Sequence, residues 1–311
     1  MDSPSVIAFP PVRINKVFRR SRVDTKSERL TERAAQNQAS AASQGVQRLL
    51  ALEYRRLARD PSALPSLRDV EMRCFSQNGE DGILLYVFTL VGVTNTVAVE
   101  IGAGSGTECN GANLIVNHGW YGVLFDGDKA ALAQGRSFYA ASRDTWLNPP
   151  RLVAAWVTAE NVDALLRDAD LAGEIDLLSV DLDGMDYWVW KAIQRVEARV
   201  VVVEFNAVWG PERSVSVPYR PDFRFDARRQ PYYCGASLAA FVRLGRAKGY
   251  RLIGVERHGV NAFFMKAGVG EAFFPEVTPR QCFDAHPNLR SWRESLLPDP
   301  RTRPDWVWVE V

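Results

Sequence analysis

Short apolar runs alternate with helix-compatible segments through the middle of the chain. The runs are rich in β-branched residues and are short enough for buried strands of a parallel sheet. Five such runs lie at residues 97–101, 122–125, 152–157, 175–180 and 200–205. Residues 250–255 and 261–266 form two further apolar runs joined by a short turn, which predicts an antiparallel hairpin. The pattern predicts an α/β fold with a Rossmann-like, doubly wound, mostly parallel seven-stranded sheet closed by that hairpin.

The limits of this pattern divide the chain into three regions. Residues 1–70 are expected to form an N-terminal arm and a helical extension, with a helix predicted over residues 31–59. Val46, Leu49, Leu50 and Leu57 fit one face of this helix, which would pack on the core or on a second subunit. A homo-oligomer is therefore one expectation. Residues 71–270 would form the enzyme-sized domain, and residues 271–311 a tail that wraps it.

Composition narrows the class of protein. The 311-residue chain has a formal net charge of +1, which gives no general reason to expect nucleic acid or an anionic membrane as partner. No apolar run reaches the roughly 18 residues that span a bilayer, so a cytoplasmic protein with a small-molecule partner is expected. The four cysteines are scattered and indicate neither a zinc site nor a disulfide framework.

A glycine-rich turn follows the first predicted strand. Its residues are Gly102, Ala103, Gly104, Ser105 and Gly106, and Glu100 stands immediately before it. Glycines allow a sharp turn and a close approach of the backbone to a ligand. The second strand ends at Asp126, followed by Gly127, and an acid at this place can accept hydrogen bonds from two ribose hydroxyls. The arrangement predicts a site for a cofactor that contains a nucleoside.

Two motifs together resemble a known family. Glu-x-Gly-x-Gly-x-Gly at residues 100–106 resembles the first motif of class I S-adenosylmethionine (SAM) methyltransferases. The run Ser-Gln-Asn-Gly-Glu-Asp at residues 76–81, shortly before it, is similar to a segment of the FkbM-type members. The resemblance covers roughly residues 75–266. It implies SAM as cofactor, bound by Gln77, Glu100, Gly102, Ala103, Gly104, Gly106, Asp126, Gly127 and Asp181. By their order in the fold, Thr158, Glu160 and Asn161 would lie near adenine.

Acidic residues follow the next two predicted strands. Asp181 and Asp183 come directly after the fourth strand, and Glu204 and Asn206 end the fifth. Ligands bind at these strand ends in open α/β sheets. The four side chains could supply oxygen ligands to Mg²⁺, in outline like catechol-type O-methyltransferases. They could equally cap turns or contact substrate without a metal. Asp181 or Asp183 would deprotonate the acceptor, and His258, in the hairpin turn, is a further candidate base.

A long connection, residues 209–234, is called the lid here. It carries five arginines and four prolines interleaved with aromatic residues, a composition that suits a binding loop or a subunit contact. Residues expected to contact the acceptor are Tyr187, Asn206, Arg213, Arg224 and Tyr233. The predicted activity is O-methylation of a hydroxylated small molecule of sugar or natural-product type. Methyl transfer to nitrogen, cyclisation of SAM itself, and a non-catalytic SAM-binding assembly module remain as alternatives.

Overall fold

The computed structural model describes residues 43–230, 232–286 and 303–311. Seven strands form one sheet in the order β3-β2-β1-β4-β5-β8-β7. Their bounds are β1 Val97–Ile101, β2 Tyr121–Asp126, β3 Arg151–Ala154, β4 Gly173–Val180, β5 Val196–Glu204, β7 Tyr250–Val255 and β8 Asn261–Lys266. The first five pair in parallel, and β8 is antiparallel to both β5 and β7. This order, with one reversed strand, is the Rossmann-like fold of class I methyltransferases, so the predicted fold class is confirmed.

Helices cover both faces of the sheet because successive strand residues point to opposite sides. After α1 (residues 43–57) they are α2 Glu80–Val91, α3 Ala112–His118, α4 Lys129–Ala141, α5 Val162–Asp168, α6 Asp186–Ala192, α7 Leu238–Ala247 and α8 Pro279–Ala285. Val201 and Val203 of β5 share a core with α5, α6 and α7, whereas Val200 and Val202 pack with α1 and α2. Apart from the edge strand β3, the strands of the sheet are mostly buried on both faces, which explains their continuous apolar runs.

The packed face of the N-terminal helix overlaps only in part with the predicted one. Val46 and Leu49 are 55% and 68% exposed, whereas Leu50 packs on the core and Gln47 and Tyr54 are buried. Tyr54 packs edge-to-face on Tyr86 of α2 with ring centroids 4.8 Å apart. The helix therefore packs on the core of its own chain through Leu50 together with a polar and an aromatic side chain. The part predicted at residues 31–42 lies outside the described residues.

Residues 303–311 return to the lid. Two short strands, β6 Val215–Ser216 and β9 Val309–Glu310, pair in antiparallel fashion. Trp308 packs on Trp209 with centroids 4.8 Å apart, and Tyr233 donates a hydrogen bond to the carbonyl of Val307 at 3.0 Å. Among the described residues, no helix combines the length and apolarity that a membrane crossing requires. The four cysteines form no disulfide.

Two of the differences between the predicted and the observed element bounds change the walls of the site. The third strand ends at Ala154 rather than at residue 157, and the chain then turns to pass over the end of the sheet. The helix after the glycine turn begins at Ala112, because Asn110 and Gly111 donate their backbone N–H groups to Glu100 instead. Both changes move backbone from regular structure into the walls of the site.

Candidate functional site

A cavity of about 780 Å³ lies at the carboxyl ends of the parallel strands. Gly102 and Gly104 lie on its floor, and a segment of the lid lies on one side. Among the described residues, its charged lining consists of Glu100, Glu108, Asp126, Asp128, Asp181, Asp183 and Glu204 against the single guanidinium of Arg224. Such a lining attracts cationic ligands and repels phosphate groups.

The glycine turn is fixed by close backbone packing. Gly102 has φ +87° and Gly106 has φ +73°. A Cβ on Gly102 would lie 1.6 Å from the carbonyl oxygen of Asp181, and one on Gly106 would lie 2.6 Å from Leu124. Gly104 also has a positive φ, but a Cβ there would meet open space. Two glycines therefore serve packing between strand ends, and the third leaves room beside the cavity.

Asp126 ties this turn to the end of β2. Its Oδ2 accepts a hydrogen bond from the backbone N–H of Gly104 at 2.6 Å, and its Oδ1 accepts one from Asp128 at 2.6 Å. Each carboxylate oxygen keeps a second lone pair, and the side chain lines the cavity. Gly127 follows without a side chain, and Trp156 packs over it, so that a Cβ there would lie 3.0 Å from the indole.

Glu100 forms the buried base of the cavity. It accepts hydrogen bonds from the backbone N–H of Gly111 at 2.8 Å and of Asn110 at 3.3 Å. Burial raises its pKa to about 7, although these hydrogen bonds favour the ionised form. The first strand thus delivers one carboxyl that can change its charge near neutral pH.

The segment before α2 presents Gln77 to the cavity. The Asp81 carboxylate accepts three backbone hydrogen bonds, from Cys74 at 2.7 Å, Phe75 at 2.6 Å and Ser76 at 2.9 Å. These bonds fold the chain into a tight turn from which exposed Gln77 lines the site. The helix itself begins at Glu80 after Gly79, and Ser76 accepts from the N–H of Asp81 rather than occupying the N-cap position.

Three carboxyl groups meet at the ends of β4 and β5. One oxygen from each of Asp181, Asp183 and Glu204 lies within 4.8 Å of the others. Burial, and then the charges of the neighbouring acids, raise the pKa of both Asp181 and Glu204. Below them, buried Asp186 accepts the N–H groups of Leu182 at 2.7 Å and Gly184 at 2.9 Å, which holds the turn after β4. The two strands therefore bring the predicted acids together.

Asn206 does not join this cluster. Its amide nitrogen donates to the carbonyl oxygens of Tyr232 at 2.8 Å and Cys234 at 2.9 Å, and its Oδ1 accepts from Val208. Two residues beyond the strand end, the chain has already turned, so the side chain fastens the end of the lid. The expected roles of Asn206 as metal ligand and acceptor contact are not supported by this position.

Four more of the residues predicted for the acceptor or for catalysis lie outside the cavity, as do Ala103 and Gly106 of the predicted cofactor residues. Arg213 pairs with Glu310 at 2.8 Å, Tyr233 packs on Trp306 and Trp308, and Tyr187 is buried against Phe241. His258 is exposed in the hairpin turn, where its backbone N–H binds Glu256. Lid contacts, core packing and an exposed turn account for these positions, and none of them supports contact with an acceptor.

The lid covers the cavity on the β3 side. The Trp156 indole donates to the carbonyl oxygen of Pro221 at 2.7 Å, and the Arg224 guanidinium lies 4.5 Å from the centre of the indole ring. Tyr219 binds the Glu160 carboxylate. Of the residues expected near adenine, Thr158 lines the cavity, whereas Asn161 caps the local turn by accepting the N–H of Thr158 at 2.8 Å.

Asn261 and Trp156 are two of the lining residues that sequence reasoning missed. Asn261, the first residue of β8, is 4% exposed and pairs in register with Glu204. Its amide donates to Glu80 at 2.8 Å, and its Oδ1 has no hydrogen-bond partner in the described structure. The predicted hairpin could have identified Asn261, because an antiparallel β8 must begin at the edge of the sheet where β5 ends. Trp156 was assigned to a strand, which concealed its place in the cavity wall.

Comparison with known proteins found only distant structural similarity. No family model and no curated protein matches the chain. Among solved structures, an O-methyltransferase from Bacillus cereus in complex with SAH is 13% identical (69% of this chain, 88% of that chain, TM-score 0.38). The O-methyltransferase TomG from Streptomyces achromogenes, in complex with SAM, is 18% identical (70% and 90%, TM-score 0.38). With identities and scores this low, the function has to be argued from the site itself, and membership of the FkbM-type family is not shown.

Proposed function

We propose that the protein is a SAM-dependent methyltransferase that methylates a hydroxyl oxygen of a small molecule. The observation that carries the proposal is the composition of one cavity. Its floor is the glycine turn with Asp126 and Glu100, and the Asp181 and Glu204 carboxyl groups lie beside this turn at the ends of β4 and β5. The first group suits a nucleoside cofactor, and the second can accept a proton.

The charge of the cavity favours SAM over a phosphate-bearing cofactor. A dinucleotide or nucleoside triphosphate would bring several negative charges next to seven acidic side chains and one arginine. SAM carries a sulfonium and an ammonium group against a single carboxylate. Gly104 faces open space beside Asp126, so the turn leaves room for the cofactor. Residues that would hold it are Gln77, Glu100, Gly102, Gly104 and Asp126, all of which line the cavity.

The carboxyl groups would perform the proton transfer. The bound cofactor supplies a methyl group on sulfur, and the oxygen–methyl bond forms as the sulfur–methyl bond breaks and its electron pair stays on sulfur. The hydroxyl proton passes to the Asp181 carboxylate, whose raised pKa makes it a stronger base than an exposed aspartate. The fixed wall around Asp181 would orient the acceptor, which is the main contribution that a methyltransferase makes to this displacement.

Three of the four residues expected to bind magnesium are these same carboxyl groups, Asp181, Asp183 and Glu204. Without Asn206, three carboxylates are left, and Mg²⁺ usually completes its six oxygen ligands with water. A divalent cation here would be held by Asp181, Asp183 and Glu204 and would polarise the acceptor hydroxyl. Unchanged turnover in excess chelator would assign proton transfer to the carboxylates alone.

Calorimetry tests the cofactor assignment. Replacing Asp126 with alanine should weaken SAM or SAH binding by about 1.5–3 kcal/mol, the range for hydrogen bonds to a charged group. Asp168→Ala, which removes an exposed carboxylate outside the cavity, is the control and should leave affinity unchanged. Equal affinities in the two variants would contradict the proposal. Mass analysis of products from a panel of alcohols and amines then distinguishes transfer to oxygen from transfer to nitrogen.

A further inference from the structure

One wall of the cavity offers mainly hydrogen-bond acceptors. Asp181, Asp183 and Glu204 present carboxyl oxygens at the ends of β4 and β5. A ligand group that binds at such a wall must donate hydrogen bonds, as hydroxyl and ammonium groups do. A carboxylate or phosphate on the ligand would be repelled there.

Asn261 supplies an independent indication of a ligand at this wall. It is 4% exposed, it lines the cavity, and it lies beside Glu204 in the sheet. Its Nδ2 is committed to Glu80 at 2.8 Å, which fixes the amide so that Oδ1 is the free atom. That oxygen has no partner in the described structure, and an unsatisfied buried acceptor is costly. A donor on a ligand would satisfy it.

The one positively charged side chain among the described cavity-lining residues, Arg224, does not belong to this wall. Arg224 packs on Trp156, on the β3 side, where the lid meets the residues that follow β3. The wall formed by β4, β5 and β8 therefore has no positive side chain among the cavity-lining residues of the described structure.

We infer that the methyl acceptor carries an ammonium group next to the hydroxyl that reacts, and that Asp183, Glu204 and Asn261 recognise this group. The inference rests on the proposed function and narrows its acceptor to an amino alcohol, such as an amino sugar. Asp181 is left to take the hydroxyl proton. N–H···O⁻ bonds of about 2.8 Å around one nitrogen place their acceptors roughly 4.6 Å apart, within the spread of this cluster.

An ammonium group suits the wall better than a metal ion. The three carboxyl groups would supply only three of the six oxygen ligands that Mg²⁺ takes. The fourth oxygen ligand expected for magnesium, Asn206, instead fastens the lid. The Asn261 oxygen, in contrast, is an uncharged acceptor that fits a third N–H.

The test uses three matched probes and the full chain saturated with SAH. The probes are trans-2-aminocyclohexanol, trans-1,2-cyclohexanediol and trans-2-hydroxycyclohexanecarboxylate, and their binding is measured by ligand-observed NMR titration. The amino alcohol should bind at least ten-fold more tightly than the diol, and the carboxylate should bind most weakly. Glu204→Gln and Asn261→Leu should each reduce the preference for the amine several-fold. Arg224→Gln, which alters the opposite side of the cavity, should leave that preference intact.

Three outcomes would overturn the inference. One is equal binding of the amino alcohol and the diol, and another is tightest binding of the carboxylate with loss of that binding in Arg224→Gln. The third is loss of the amine preference when Mg²⁺ is added and its return with chelator, which would make the wall a metal site. If SAH itself does not bind, the proposed function fails, while the amine preference measured on the protein alone still tests the wall.

Discussion

Gly102 connects the sequence motif to a physical requirement that single substitutions can test. Gly102→Ala should destabilise the fold by more than about 3 kcal/mol, because it adds a clash with the Asp181 carbonyl to the strain of a positive φ. Gly119 has φ +70° in the left-handed region and open space around it, so Gly119→Ala should cost only the strain, about 1–2 kcal/mol. Denaturant unfolding measures both, and equal losses would refute the role of the clash.

Glu100 should make stability depend on pH. Burial raises the pKa of Glu100 to about 7 in the folded protein, from 4.5 for an unperturbed glutamate. A raised pKa means that the folded state prefers the protonated carboxyl. The contribution of Glu100 to the free energy of unfolding is therefore full below about pH 4.5 and is lost as the pH rises through about 7. The loss should be on the order of 3 kcal/mol. Glu100→Gln should flatten this part of the stability profile, and an unchanged slope would show that Glu100 does not cause it.

At the scale of elements, hydrogen bonds of the buried Gln47 side chain join α1 to α3. Gln47 donates to Asn113 of α3 at 3.0 Å, and its Oε1 faces His118 at 2.7 Å and accepts from Asn113 at 2.9 Å. Gln47→Leu should cost about 2–3 kcal/mol, because it leaves buried polar groups without partners. Leu49→Gln, on the exposed face of the same helix, should be nearly neutral. Thermal unfolding of the two variants checks this, and the reverse ranking would restore the face predicted by the leucines.

How far the sequence predicts an element depends on what holds the element in place. The strands of the sheet were predictable because apolar, β-branched runs report burial on both faces, as Val200–Val203 show. The packed face of α1 was predictable only in part, since hydrophobic periodicity cannot reveal that Gln47 is buried by its hydrogen bonds. Within the site, Asp181 and Glu204 meet because parallel strands end at one edge. Asn206 was expected in the site and lies outside it, whereas Asn261 lines the site without having been predicted. Composition does not reveal the direction that the chain takes just past the end of a strand.

At the scale of the whole molecule, residues 303–311 hold the lid in position. Trp308 lies between Trp209 and Tyr233, at 4.8 Å and 5.4 Å between ring centroids. Trp308→Ala should therefore increase hydrogen exchange through residues 209–217 and 232–234 while β1 and β4 stay protected. Val307→Ala alters an exposed side chain of the same segment and should have little effect. Unaltered exchange in Trp308→Ala would show that the lid holds its position without this contact.

The pairing of β6 with β9 also bears on the order in which the chain folds. Arg213 and Glu310, which bond across these strands, are 97 positions apart in the sequence. Closing so long a loop costs chain entropy before any contact repays it, so this ladder is expected to form after the central sheet. During refolding, the cavity would then exist first as an open cleft. An early intermediate would expose its acidic floor to solvent and acquire its cover in the last kinetic phase.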